Sequence, residues 1–379
     1  MKNTLSFRTK CAAMASFMTV FSLSAAGCVQ STDSGSADTS SASAGSADTA
    51  ANDTAAPAAS SDSDTISVYT ALEDDVIEAY LTSFREQYPD INIEITRDST
   101  GTIISKLIAE KDAPVCDVLW GTAVTSMLSL DDYGLIEPYD PEGIDRILPQ
   151  FKDKESPCRW VGIDVPETAM LVNTAECEKL GIPVPTSYAD LVDPVYEGHI
   201  AMSDPTSSGT GLFIINGMLQ MMADTKGDYT KGWEYLDKFD KNVIEYTPSG
   251  SKPAKMVASG EALIGLSMGY RCVTLAQENP ECQVVFPSEG SAWDVEANCL
   301  IKKDNIKDAA KTFCDWAISD DAMAAYQKEY PIIATGGDGS VPDGYNQDPV
   351  KNLSDVIDLY EMADYRSEFF DEFTARYLG

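Results

Sequence analysis

One recurring device limits what this chain can fold into: an apolar run of strand length, then hydroxyl residues with glycine, then an apolar stripe at helical spacing. From Ile91 to Glu110 the sequence reads INIEITRDSTGTIISKLIAE. Ile91, Ile93 and Ile95 alternate with polar residues, the period of a strand with one face on a core. Ile103, Ile104, Leu107 and Ile108 then share one helical face. Between them stand Asp98-Ser99-Thr100-Gly101-Thr102. The first N–H groups of a helix lack internal acceptors, and the aligned peptide dipoles place about half a positive charge there. Hydroxyls add donors and glycine admits a ligand to the backbone, so the junction is a candidate anion site. For a single junction the alternative stays open, that Ser99 or Thr100 simply caps its own helix. The device recurs, however. Asp204-Pro-Thr206-Ser207-Ser208-Gly209-Thr210-Gly211 leads into a helix carrying Leu212, Ile215 and Leu219. Thr247-Pro-Ser249-Gly250-Ser251-Lys252 leads into one carrying Met256 and Val257. Neither ends in the Gly-Lys-Ser/Thr of a P-loop.

The order of the pieces predicts an α/β chain of two lobes. Strands over 66–70, 91–95 and 116–120, separated by helices over 75–87 and after Ser99, imply parallel strands with right-handed crossovers. In such sheets ligands sit beyond the carboxyl ends of the strands. Those ends carry Thr70-Ala71, Ser99-Thr100-Gly101 and Gly121-Thr122. Strand character over 161–173, followed by the Pro-rich turn at 181–186, marks a first crossing to a second lobe. Strands over 199–203, 243–246 and 263–267 build that lobe, and Ser291 to Ala297 crosses back. Helices over 306–318, 321–329 and 353–377 follow. The expected division is lobe 1 over 65–165 plus 295–379, lobe 2 over 166–294, and a hinge made by the two crossover strands.

Residues 1–27 combine Lys2, Arg8 and Lys10, an apolar run and Ala25-Ala26-Gly27 before Cys28, the layout of an export signal. From 28 to 64 the chain is almost all Ser, Ala, Asp, Thr and Gly, a composition that cannot offset its ordering entropy and reads as a flexible tether. The formal charge of −34 disfavours nucleic acid and anionic lipid as partners over most of the surface. A small anion remains allowed, because surface charge is screened within about 8 Å at physiological salt. Of nine cysteines, Cys116, Cys158, Cys177, Cys272, Cys282, Cys299 and Cys314 lie beyond Cys28. Their odd number and the lack of a C-x-x-C pair favour buried, reduced thiols, with a Cys272–Cys282 bridge as the local alternative. One histidine, His199, and no metal-ligand spacing argue against a metal site, and no cofactor is implied. Gly265-Leu-Ser267-Met-Gly269 matches the nucleophile elbow of serine hydrolases, which requires a histidine later in the chain; none follows Ser267.

Several segments together resemble the solute-binding proteins of bacterial ABC importers. They are Val68-Tyr-Thr-Ala71, Asp98 to Thr102, Ala113-Pro-Val-Cys-Asp-Val-Leu-Trp120, Leu191-Val-Asp-Pro194, Gly198-His-Ile-Ala201, Asp204 to Thr210 and Ala292-Trp-Asp-Val-Glu-Ala297. The resemblance spans residues 65–379 and implies a two-lobed, type II periplasmic-binding-protein-like fold. It is similar above all to the branch holding ferric-ion, 2-aminoethylphosphonate and hexose-phosphate binders. Ferric members use two adjacent tyrosines; here Gly269-Tyr270-Arg271-Cys272 retains one. The resemblance therefore implies capture of a small phosphonate or phosphate, with 2-aminoethylphosphonate the expected solute and ferric ion or a polyamine the alternatives. Thr70, Ser99, Thr100, Gly101, Thr122, Ser207, Ser208, Gly209, Thr210 and Ser249 would hold the anion, with Tyr270 lining the cleft and Arg271 able to pair with it. Asp294 and Glu296 on the returning crossover, beside Trp293, would face an ammonium, with Glu167 as a weaker candidate. Cys28 would be the lipidated residue of a lipoprotein, held outside the cytoplasmic membrane. The partners implied are the solute and the membrane permease subunits, with the protein itself monomeric.

Overall fold

The computed structural model describes residues 64–337, 339–345 and 348–379. The export signal, Cys28 and the tether lie outside them. Strand and helix alternate from the start: β1 (Thr65–Thr70), α1 (Asp74–Tyr80), α2 (Thr82–Gln87), β2 (Asn92–Arg97), α3 (Thr100–Ala109) and β3 (Val118–Ala123). β1 lies between β2 and β3 and is parallel to both. β3 is buried along its whole length, as a central strand covered on both faces must be. After α4 (Val124–Met127) and β4 (Ile136–Glu137), β5 (Val161–Asp164) leads the chain out of this sheet.

The second sheet begins with β6 (Thr168–Asn173), followed by α5 (Thr174–Leu180), β7 (Ile200–Ser203), α6 (Gly209–Met221) and α7 (Thr230–Phe239). β8 (Val243–Thr247), α8 (Lys252–Ser259), β9 (Ile264–Met268), α9 (Gly269–Glu278) and β10 (Cys282–Val285) complete it. Its strand order is β10-β6-β9-β7-β8, with β7 parallel to both neighbours and β6 antiparallel to β9. The stripe expected on α6 is wider than a stripe: every residue from Gly209 to Gln220 is buried. A helix buried all round must be covered all round, and Gly217 lets Ala292 and Ile357 close on it.

β11 (Glu296–Ile301) returns to the first sheet antiparallel to β3, β4 and β5. The two crossing segments are tied together: Asp294 N–H donates to the Pro166 carbonyl at 3.2 Å and Thr168 N–H to that of Ala292 at 2.8 Å. α10 (Asp308–Ala317) and α11 (Asp320–Tyr326) then pack on the first sheet, where Trp120 meets Phe313 edge-on at 5.5 Å.

The single helix expected over 353–377 is broken. α12 (Pro349–Asn352) is followed by an irregular segment with a turn at Asp355 and Val356, then α13 (Leu359–Asp364) and α14 (Arg366–Phe373). Asp358 starts α13 by accepting from the N–H groups of Tyr360 and Glu361, and Ser354 is drawn off by the Trp293 indole, which donates to its carbonyl at 2.9 Å. Nor does this tail sit with lobe 1 alone, as expected. Phe369 stacks on Trp233 at 5.6 Å, Phe373 meets Tyr246 at 5.3 Å, and Arg376 pairs with Asp237 at 3.0 Å, all in the second lobe. All seven described cysteines are free and buried, Cys272 and Cys282 included. No helix among the described residues is long and apolar enough to cross a membrane.

Candidate solute cleft

The carboxyl ends of parallel strands from both sheets open onto one cavity of about 280 Å³. From the first sheet come Arg97 and Asp98, at the end of β2, and Ala71, beyond β1; from the second come Ser207 and Ser208, beyond β7, and Ser249 and Gly250, beyond β8. Three helices, α3, α6 and α8, start at this cavity, and none carries an acidic residue in its first turn. Some of their first-turn N–H groups are taken, that of Gly101 by the Ser207 carbonyl, that of Gly211 by Ser208 Oγ and that of Lys252 by the Ser249 carbonyl, and Pro253 has none; the remaining ones and the positive dipole ends converge on one space.

The hydroxyls have distinct roles. Ser208 caps α6, its Oγ accepting from the Gly211 N–H at 3.1 Å. Ser99 does not cap α3; its Oγ lies 3.0 Å from Thr102 Oγ1 at the cavity wall. Ser249 Oγ lies 3.3 Å from Ser251 Oγ. Asp204 holds the loop before α6 in shape, accepting from both the N–H and the hydroxyl of Thr206.

Two glycines form the seam between the lobes. Gly101 N–H donates to the Ser207 carbonyl at 3.0 Å, and a Cβ on Gly101 would sit 2.8 Å from that oxygen. A Cβ on Gly209 would sit 2.5 Å from Thr100 Oγ1. Arg271 of α9 also reaches across, pairing with Asp75 of α1 at 3.0 Å. The lobes are therefore closed on the cavity.

Charge inside is mixed. Arg97 is the one cation among the described lining residues; its Nε donates to the Leu72 carbonyl at 2.9 Å and its guanidinium lies 3.3 Å from Glu73. Glu296, the first residue of β11, lines the cavity opposite. Burial raises its carboxyl above the ordinary range, and so does burial for Asp164, which faces it across the strand pair.

The family of bacterial extracellular solute-binding proteins matches residues 113–352. The chain belongs to this family. A probable ABC transporter periplasmic-binding protein of Sinorhizobium fredii is 28% identical over 243 residues, 63% of this chain and 65% of that protein. An uncharacterized protein of Haemophilus influenzae is 26% identical over 327 residues, 84% of this chain and 92% of that one. Among solved structures, the periplasmic binding protein AfuA of Actinobacillus pleuropneumoniae, with exogenous fructose-6-phosphate bound, superposes with a TM-score of 0.74 at 25% identity, covering 83% of this chain and 98% of AfuA. The two-lobed type II fold of this solute-binding protein is that of these neighbours.

Of the residues singled out from sequence, Ser99, Thr100, Ser207, Ser208, Gly209, Thr210, Ser249 and Glu296 come together at the cleft. Gly101 stands behind it at the seam. Thr70 is turned away, its Oγ1 accepting from the Leu72 N–H at 3.1 Å, and Thr122 is buried within the sheet. Five expectations are corrected. Asp294 is fully buried, and its carboxylate is taken by the Thr125 hydroxyl and the Val295 N–H, so it faces no ligand. Tyr270 packs on Tyr330 at 4.9 Å inside the hinge, because α9 begins at Gly269 and turns this side chain inward. Arg271 is committed to Asp75, and Glu167, also buried, accepts from the Asn352 amide at 3.3 Å. Trp293 makes no wall of the cleft. Ser267 is no free nucleophile: it is buried, donating to the Gly250 carbonyl at 2.7 Å, while His199 stands at the far, amino end of the neighbouring parallel strand.

Sequence reasoning missed Arg97, Glu73 and Phe213, all of which line the cavity. Arg97 is the last residue of β2, two positions before Ser99 and beyond the strand expected over 91–95, so the strand-end rule applied at the strand's actual end would have found it. Phe213 carried no signal, since it reads as one more apolar residue of α6.

Proposed function

We propose that this protein is the solute-capturing component of an ABC importer and that it takes a small phosphorylated or phosphonate compound, 2-aminoethylphosphonate being the solute expected from sequence. The observation that carries the reading is the convergence of three helix N-termini, free of acidic first-turn residues, on one hydroxyl-lined cavity. Such a cradle supplies many N–H and O–H donors to a phosphoryl group without a dense cluster of cations. AfuA, solved with a sugar phosphate, supports the same solute class. Two findings weigh against ferric ion. Among the described residues no three His, Cys, Asp or Glu side chains gather as metal ligands, and the tyrosine resembling a ferric ligand, Tyr270, is buried against Tyr330 and is not among the residues lining the cavity.

Ligand contacts from both lobes exist only when the lobes meet, so binding shifts the hinge toward the closed form by the difference in affinity between the two states. The closed form would then dock on permease subunits, the protein acting as a monomer tethered to the membrane through Cys28. Thermal unfolding against 2-aminoethylphosphonate, glucose 6-phosphate, fructose 6-phosphate, ferric citrate and putrescine tests the reading. A ligand at about a hundred times its Kd adds roughly 2.7 kcal/mol, a shift of a few degrees. Stabilisation by phosphoryl or phosphonate compounds is expected; stabilisation by ferric ion or putrescine alone overturns it.

A further inference from the structure

Glu296 and Asp164 form a pair of buried carboxyls at the hinge, on β11 and β5, directly opposite one another in the antiparallel register. Asp164 is fully buried, and its one side-chain partner is the Glu296 carboxyl itself; no N–H or hydroxyl donates to either of its oxygens. Glu296 is 9% exposed and lines the cleft; Asp164 and the Tyr330 hydroxyl are its side-chain partners, and its buried Oε2 finds no N–H or hydroxyl donor. The polar groups around the pair are four tyrosines and two acids. Tyr80 comes from α1, Tyr270 from α9, Tyr326 from α11 and Tyr330 from just beyond it; Asp294 and Glu73 add negative charge. No Lys, Arg or His forms an ion pair with either carboxyl among the described residues, and Arg97, the cation of the cleft, is held by Glu73. Buried acceptors are ordinarily satisfied, and orphans beside a ligand cavity mark where a ligand supplies the missing donor.

We propose that Glu296 is a ligand-binding residue: its carboxylate receives a hydrogen-bond donor, ammonium or hydroxyl, on the end of the solute away from the phosphoryl group, and Asp164 positions it. The proposal rests on the phosphoryl reading above and adds the second half of the solute, making it a bifunctional molecule with an anionic head and a donor-bearing tail. Two carboxyls this close and this buried do not both ionise freely, so Asp164 retains the one proton of the pair while Glu296 accepts from the ligand. An ammonium, which favours the ionised Glu296, therefore binds more tightly as pH rises. A hydroxyl binds with little pH dependence of its own.

The test is calorimetry of the full chain with ethylphosphonate, 2-aminoethylphosphonate and glucose 6-phosphate at pH 6 and 8, on wild type, Glu296→Gln and Asp164→Asn. The wild type is expected to prefer at least one donor-bearing compound over ethylphosphonate by tenfold or more. Glu296→Gln should erase that preference while changing ethylphosphonate affinity less than threefold. Asp164→Asn should keep the preference and, because burial and not Asp164 raises the Glu296 carboxyl, should leave the pH dependence of the ammonium-to-ethylphosphonate affinity ratio in place. An ammonium source is identified by a ratio that grows from pH 6 to 8, a hydroxyl source by preference for the sugar phosphate alone. Equal weakening of all three compounds by Glu296→Gln, or a preference that survives it, overturns the proposal. Wild type that binds none of the three overturns the phosphoryl reading itself, a result distinct from either.

Discussion

Replacing Gly101 by alanine adds one methyl group where the lobes meet, and the structure says what that methyl encounters. Its Cβ would lie 2.8 Å from both the Ser207 and the Thr206 carbonyl oxygens and 2.9 Å from Ser207 Cα, against an ordinary contact of at least 3.4 Å. These are backbone atoms of the opposite lobe and have no rotamer to escape into. The lobes must part by about half an ångström, and the 3.0 Å bond from the Gly101 N–H to the Ser207 carbonyl is lost. Overpacking of this kind costs about 1–3 kcal/mol, and a hydrogen bond contributes about 0.5–1.5 kcal/mol. The closed state should therefore lose about 2–4 kcal/mol, and solute affinity should fall roughly 30- to 1000-fold at 1.4 kcal/mol per decade. In the open state the methyl meets none of these atoms. Alanine suits a helix better than glycine by up to about 1 kcal/mol, so the ligand-free melting temperature should hold or rise. Calorimetry with the strongest stabiliser of the panel, beside ligand-free melts, separates the two effects. An unchanged affinity would refute the argument, because it would mean that Gly101 and Ser207 do not meet in the bound form. A large drop in ligand-free stability would refute it as well, since the seam would then belong to the fold and not to closure.

Asp75→Asn removes the exposed half of the other inter-lobe contact, the 3.0 Å pair with Arg271. Pairs with one exposed partner contribute about 0.2–1 kcal/mol, so affinity measured by calorimetry should fall no more than about fivefold, with the difference shrinking as salt is added. Glu167 is buried and its carboxyl is pushed up to about 7 by burial. Its folded value lies above its unfolded one, so its contribution to stability is complete below about pH 4.5 and is lost as pH rises toward 7 and beyond. Glu167→Gln should accordingly raise the melting temperature more at pH 8 than at pH 5; an equal effect at both would show that the carboxyl does not titrate there. The seven buried free thiols should resist a thiol reagent until the chain unfolds, and reductant should leave the melting temperature unchanged.

Most of the architecture was legible because it rests on local periodicity. β1, β2, β3, β7, β8 and β9 fall where alternating or continuous apolar runs stand between Gly, Pro and hydroxyl clusters, and their spacing alone requires parallel crossovers. The C-terminal tail was not legible: its helical stripe is real, but capping at Asp358 and the hold of Trp293 on Ser354 interrupt it, and these depend on partners distant in sequence. The cleft divides in the same way. Ser99, Ser208 and Ser249 stand at strand-to-helix junctions, so their place on the cavity wall follows from chain order alone. Asp294 and Glu296 are two residues apart on one crossover and read alike. Only the fold gives Asp294 to Thr125 and Val295 while leaving Glu296 at the cavity.

The sequence by itself therefore determined a two-lobed α/β chain with hydroxyl-rich helix starts, because strand and helix periods, junction chemistry and strand-end geometry are properties of neighbours along the chain. Tertiary structure alone decided which charges are consumed inside the protein and which remain for a ligand. A carboxylate or guanidinium is set free or committed by what the fold brings beside it: Arg271 is matched by Asp75 from a helix far away in sequence, while Glu296 meets a second acid, Asp164, and no cation, and keeps an unsatisfied oxygen.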